Sequence, residues 1–270
     1  MLDFFAAVCY TGCVSGLYPA LYFRKRRFFM QPIFGASSSD IILSCKDLTK
    51  NYGRTVALRG ITLDIPAGKI IGLLGPNGSG KTTFIKIVAG LLQADGGTVT
   101  VDGMPIGADT KARVAYLPER NSIPDYMTVG DAVDYYADFF PDFDRARAMS
   151  MLSDLGVEPA YYIRALSKGT KEKVQLVMVM ARRARLYLLD EPISGVDPAA
   201  RDYIIDTILQ NYSPTSSVII STHLIADIES VMHGFVLIRD GRIRSAGTPR
   251  GLLEQTGKSV DAYFREVFRC

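Results

Sequence analysis

From Ile41 onward the chain alternates short apolar runs with stretches whose apolar residues recur at helical spacing. "IILSCKDL" (41–48) and "TVALRGITLDI" (55–65) read as strands, and "KIIGLLG" (69–75) as a short buried strand. "SGKTTFIKIVAGLL" (79–92) then reads as a helix, and "GTVTVDG" (97–103) and "RVAYLP" (113–118) return to strand character. Thr128 to Ala184 reads as helical, with breaks at Pro141 and Gly156. Three further strands follow, "RLYLLD" (185–190), "SVIIST" (217–222) and "FVLIRDG" (235–241), with helices between them. Buried strands alternating with helices predict an α/β fold, a sheet covered by helices on both faces. The helical stretch between strands predicts an inserted subdomain at about 120–180.

The first forty residues break this pattern. Residues 4–23 carry no charge and are mostly apolar, and "RKRR" follows at 24–27. Roughly 20 apolar residues suffice to cross a bilayer, and the basic cluster would hold the following side in the cytoplasm. A secretory signal fits poorly, because its positive charges precede the apolar segment. A second reading starts translation at Met30, with "RRFFM" (26–30) as sequence upstream of the true start. On either reading 1–40 is an extension and the fold occupies 41–270, after the polar "GASSSD" linker.

Charge narrows the function classes. The net charge is +3, and Arg24, Lys25, Arg26 and Arg27 against Asp3 and Asp40 place +2 of it in 1–40. The remaining body is close to neutral, which gives no electrostatic footprint for nucleic acid. The cysteines (Cys9, Cys13, Cys45 and Cys270) show neither metal-ligand spacing nor a disulfide framework, so a reducing cytoplasm is expected.

"GPNGSGKT" (75–82) matches G-x-x-x-x-G-K-[ST] between an apolar strand and a helix. Gly75, Gly78 and Gly80 open backbone conformations that let successive N–H groups point at phosphate oxygens. The loop Gly75, Pro76, Asn77, Gly78, Ser79, Gly80, Lys81, Thr82 and Thr83 is therefore read as the nucleoside-triphosphate-binding element of a P-loop NTPase core, and the resemblance given below makes that nucleotide ATP. Lys81 is expected to reach the β- and γ-phosphates, and the Thr82 hydroxyl to ligate Mg²⁺. "RLYLLDEP" (185–192) ends a strand in Asp190, suited to hold Mg²⁺ through water. Glu191 is next along, placed to orient or deprotonate an attacking water.

In the order of these motifs, residues 41–270 resemble an ABC-type ATPase subunit, of the kind that powers a membrane transporter. The resemblance implies an antiparallel β part ahead of the core sheet. It makes Tyr52 the aromatic that stacks on adenine, "SGVD" (194–197) with Asp197 the dimer loop, and His223 of "STH" (221–223) the γ-phosphate sensor. "LSKGTKEK" (166–173) occupies the slot of the family signature LSGGQ, so Ser167, Lys168 and Gly169 are expected to cap ATP bound by a second subunit. A helix N-terminus with a solvated first turn is the local alternative for that stretch.

Two positions depart from the family pattern. Lys168 and Thr170 replace Gly and Gln of the signature, and Glu119 of "YLPER" (116–120) stands where family members have Gln. Glu119 is expected either to join Asp190 and Glu191 around the divalent ion, or to point away and pair with Arg120 or a partner's base. The resemblance implies an ATPase using ATP and Mg²⁺, with Glu191, His223 and Lys81 catalytic and Thr82, Asp190 and Glu119 at the metal. It further implies a homodimer or a heterodimer with a similar ATPase chain, peripheral at the cytoplasmic face of the cell membrane. An integral membrane transporter subunit would contact it near Glu119 and the helical subdomain. The alternative is a soluble ABC-type ATPase outside transport.

Overall fold

The structure, a computed structural model, describes residues 41–268. Both readings of the N-terminus, the anchor at 4–23 and the start at Met30, fall outside the described residues.

β1 (Ile41–Tyr52) and β2 (Thr55–Pro66) form an antiparallel hairpin whose tight turn uses Gly53 at φ +57°. β3 (Ile70–Leu74) is buried along its whole length and runs into the glycine-rich loop and α1 (Lys81–Val88). β4 (Gly96–Val101) and β5 (Met104–Pro105) return to the hairpin and complete a sheet in the order β2-β1-β4-β5. After the single turn of α2 (Ala108–Lys111) comes β6 (Val114–Leu117). The helical subdomain follows: α3 (Val129–Phe139), α4 (Arg145–Asp154), a 3-10 turn (Ile163–Ala165) and α5 (Lys168–Met180). β7 (Leu186–Asp190), α6 (Pro198–Asn211), β8 (Ser217–Thr222), α7 (Ile225–Ile228) and β9 (Gly234–Arg239) rebuild the core. β10 (Arg242–Gly247), α8 (Pro249–Thr256) and α9 (Val260–Val267) close the chain as described.

The second sheet has the order β10-β9-β3-β8-β7-β6, parallel except for β10 at its edge. Alternate residues of its strands enter two cores. Ile70, Tyr187, Leu189, Val218, Ile220, Phe235 and Leu237 pack with α5 and α6 on one face. Ile71, Leu73, Leu186, Leu188, Ile219, Val236 and Ile238 pack with α1 and the antiparallel sheet on the other. Strands buried on both faces must be apolar throughout, which is why they read as continuous runs. The fold class expected from the sequence is the fold observed.

Helix boundaries follow local chemistry. Thr128 caps α3 with a reciprocal bond from Asp131, Asp144 caps α4 and Ser167 caps α5. α1 ends at Val88, short of the expected Leu92, because Gly90 adopts φ +69° and turns the chain. The N–H groups of Leu91 and Leu92 then fold back onto the Lys86 carbonyl at 2.9 and 3.1 Å. β10 escaped the sequence reading because its run is polar and only half-buried, as an edge strand can be.

Candidate active site

The parallel strands deliver their C-terminal ends to one edge of the sheet, where open α/β folds bind ligands. β3 brings Gly75 to Thr83, β7 brings Asp190 and Glu191, and β8 brings Ser221 and His223. The glycine-rich loop is fixed against the end of β9: a Cβ on Gly75 would lie 2.3 Å from the Ile238 carbonyl oxygen. The Gly241 N–H also donates to the Ser79 carbonyl at 3.0 Å. Gly78 has φ +78° over open space, so its glycine serves the backbone shape of the loop itself. α1 starts at Gly80 (φ +108°) with no side-chain cap and no acidic residue in its first turn. Those N–H groups are left for an anion.

Lys81 is 5% exposed, and its Nζ donates to the carbonyls of Gly75 at 2.8 Å and Pro76 at 3.3 Å. Glu191 Oε1 lies 3.3 Å from that ammonium without hydrogen-bond geometry, so the contact is ionic. Glu191 Oε2 is 3.0 Å from His223 Nδ1. One carboxylate thus faces the loop lysine with one oxygen and the histidine with the other. Glu191 holds φ +51°, a left-handed conformation that a non-glycine residue keeps only under constraint. Ser221 supplies the constraint: its carbonyl and its hydroxyl each accept from the Glu191 N–H at 3.0 Å.

The Ser221 hydroxyl also donates to Asp190 Oδ1 at 2.6 Å, and the Thr82 hydroxyl donates to the same oxygen at 3.1 Å. Ser221 was not among the expected site residues. Its only signal was its place two positions before His223 in "STH". Asp190 is 1% exposed, and its Oδ2 has no hydrogen-bond partner. A buried carboxylate oxygen left unpaired is costly unless something else meets it. Thr82 and Asp190 therefore fit a divalent ion that takes its other ligands from phosphates and water, as Mg²⁺ does.

Glu119 is not gathered into this set. It is exposed, and no hydrogen bond or ion pair engages it among the described residues, Arg120 included. No cluster of three or more metal-ligating side chains exists among those residues, so the expected three-carboxylate arrangement is not assembled. The strand order does not separate Glu119 from the other two, since Leu117 of β6 pairs with Leu189 of the adjacent β7. Glu119 lies two residues past the end of β6, where the chain has left the sheet, and there it is exposed. Its charge still reaches Tyr116. Burial, then the charges of Asp190 and Glu119, push that phenol up to about 12. Tyr116 therefore remains a neutral hydroxyl beside the acidic edge.

Tyr52 ends β1 with half its surface exposed, open to a stacking partner. Ser167 begins α5, accepting from the Thr170 N–H at 3.2 Å and sharing a hydroxyl contact with Thr170 at 2.8 Å. The lysines of "LSKGTKEK" differ in their surroundings. Lys171 pairs with Asp125 at 2.7 Å, and Lys173 lies over the Tyr203 ring at 5.0 Å. Lys168 remains 76% exposed, 3.8 Å from Glu172, with its ammonium 3.1 Å from the place a Cβ on Gly195 would occupy. The start of α5 and the loop 194–197 therefore adjoin each other, and Asp197 in that loop is exposed.

The family profile described as "ABC transporter" matches residues 58–194, just over half of the chain. The chain belongs to the ABC transporter ATP-binding family. It is 34% identical to a putative ABC transporter ATP-binding protein of Halobacterium salinarum, over 80% of this chain and 98% of the relative. It is 32% identical to an uncharacterized ABC transporter ATP-binding protein of Synechocystis, and there the match spans 71% of this chain but 56% of the relative. Among solved structures, the ATP-binding subunit of an ABC transporter superposes with a TM-score of 0.76, at 27% identity, over 84% of this chain and 100% of that one. The ABC-type chain described above is thus an ATP-binding ATPase, and its candidate site is the cluster where the parallel strands end.

Proposed function

We propose that this chain is the ATP-hydrolysing subunit of a membrane transporter. In this reading it closes as a dimer around two ATP–Mg²⁺ and works through a separate membrane-spanning partner. The observation that carries it is the Glu191 carboxylate, held between Lys81 and His223 beside an unpaired oxygen of Asp190. Lys81, now on its own loop's carbonyls, transfers its donors to the β- and γ-phosphates. Tyr52 stacks on the adenine. Thr82 and Asp190 hold Mg²⁺, which supplies charge neutralisation at the phosphates. Glu191 orients the attacking water and accepts its proton, while His223 holds the carboxylate by one oxygen and senses the γ-phosphate.

Gly169 supports a cap supplied in trans. A Cβ there would meet nothing within 4 Å, so no contact within the chain requires glycine. Together with Ser167, exposed Lys168 and the adjacent Asp197 loop, it gives a surface suited to a second chain's nucleotide. No described helix is long and apolar enough to cross a membrane. A groove of about 260 Å³ between the 122–127 loop and α3, walled by Ile123, Met127, Tyr135 and Phe139, suits a short apolar helix of that partner. Glu119 lies just ahead of that loop, free to pair with a partner's base.

ATP hydrolysis by three variants tests the site. Lys81→Ala should lose ATP binding, because the one side-chain cation of the phosphate loop is gone. Glu191→Gln should bind ATP but turn over about 10²–10⁴-fold more slowly. Glu119→Gln should leave the Mg²⁺ dependence unchanged and weaken capture of the membrane partner. Wild-type turnover in Glu191→Gln would remove the assigned base, and a shifted Mg²⁺ curve in Glu119→Gln would return Glu119 to the metal.

A further inference from the structure

The loop after Glu191 and the segment after His223 share one support. Arg201, in the first turns of α6, donates Nε to the Val196 carbonyl at 3.2 Å and Nη1 to Asp227 Oδ2 at 3.0 Å. Its own N–H donates to the Asp197 carbonyl at 3.1 Å. Val196 closes the loop that Glu191 opens, and Asp227 belongs to α7, directly behind His223. Ile225 and Ile228 are each 1% exposed and fix α7 in the core, and the Leu224 N–H bonds the Thr222 hydroxyl at 2.9 Å. The loop 191–196 is therefore tied to Ser221 at its start and to Arg201 at its end. The segment 222–228 is tied to Thr222 at its start and, through Asp227, to the same guanidinium.

We infer that Arg201 is a positioning residue for hydrolysis: its guanidinium couples the dimer-facing loop 194–197 to the helix behind His223. The inference rests on the proposed roles of that loop and of His223. A planar guanidinium presents donors in fixed directions, so one side chain spans a carbonyl and a carboxylate on two elements. A lysine keeps the charge but replaces the rigid fork with one compact, rotatable head group, so the fixed geometry between the two elements is lost. Displacement of the loop by a second chain is carried through Arg201 to Asp227, and so to the ring that contacts Glu191. ATP binding draws on the phosphate loop and does not depend on this link.

The test uses the full chain with Arg201→Lys, Arg201→Met, Asp227→Asn, the double variant Arg201→Met/Asp227→Asn, and His223→Ala. Thermal midpoint, affinity for a fluorescent ATP analogue and kcat are measured in each, and ATP-driven dimerisation in a Glu191→Gln background. Arg201→Lys and Asp227→Asn should lower kcat by about 10-fold. ATP affinity and dimerisation should stay within about twofold, a split that a purely structural brace would not produce. The double variant should be no slower than the slower single, because both changes break one link. Losses that multiply would overturn the inference, as would kcat near wild type in Arg201→Lys and Asp227→Asn. A parallel fall of midpoint, ATP affinity and kcat would leave Arg201 a brace only and overturn it too. Should Arg201→Met not fold, the Lys and Asn variants still decide. Wild-type turnover in His223→Ala would sink the underlying reading of the histidine, whereas a slow His223→Ala beside a fast Arg201→Lys sinks the positioning role alone.

Discussion

Gly169 lies in the first turn of α5, where alanine can adopt the same backbone and would lose less unfolded-state freedom, by about 0.4–1 kcal/mol. Since no neighbour within 4 Å opposes a methyl group, Gly169→Ala should raise the unfolding free energy by up to about that amount. It should also weaken ATP-driven dimerisation, if the surface above Gly169 receives a second chain's phosphate. Urea unfolding and light scattering on the same protein measure both effects, and a variant stabilised with its dimerisation intact would remove Gly169 from the cap. His233 makes a different test. Its Nδ1 accepts from the Ile70 N–H at 3.2 Å, and burial, then the Lys69 charge, hold its imidazole below the ordinary histidine range. The unfolded chain then takes up the proton first, so this contribution is complete above about pH 6.5 and is lost as pH falls toward the folded value. The stability difference between wild type and His233→Gln should therefore shrink between about pH 7 and pH 5. A constant difference would contradict this. Residues whose placement follows from neighbours in the chain, such as Lys81 after its glycine-rich loop and Asp190 at the end of its strand, were legible in the sequence. Ser221 and Arg201 were not, because their partners come from other elements.

At the scale of elements, the helical subdomain is tied to the core sheet through Arg182. This side chain is 3% exposed; it pairs with Asp142 at 3.0 Å and donates to the carbonyls of Val114 at 2.8 Å and Ala112 at 3.1 Å. It also lies over the Phe140 ring at 4.1 Å. Arg182→Met leaves the carbonyls of Val114 and Ala112 without this donor and the half-buried Asp142 without its partner, so it should lose about 1–3 kcal/mol. Chemical denaturation checks it, and a loss below about 1 kcal/mol would show the helices held by apolar packing alone. The existence and order of the elements were readable because the apolar runs are long and buried on both faces. Arg182 was not, since its hydrogen-bond acceptors lie 40, 68 and 70 residues away. The end of α1 was misjudged for a local reason: the apolar Leu91 and Leu92 suggested more helix, but Gly90 in the left-handed conformation ends it.

For the whole molecule, the parallel order β9-β3-β8-β7-β6 brings the glycine-rich loop, the carboxylates of Asp190 and Glu191, and His223 to a single edge. The order of the motifs carried that much in the sequence. The isolation of Glu119 did not show there, because it depends on the path of the chain after β6 leaves the sheet beside β7. Ser167 and Gly169, at the start of α5, adjoin the 194–197 loop through Lys168, and together they form the surface on which the proposed dimer depends. The central claim is that this surface completes a second chain's site. Its most direct measurement is the mass of Glu191→Gln protein, with and without Ser167→Arg, by size-exclusion chromatography with light scattering in ATP and Mg²⁺. The account predicts a dimer for Glu191→Gln alone, and a monomer that still binds ATP once Ser167→Arg is added. A dimer in both, or loss of ATP binding by the monomer, would contradict it.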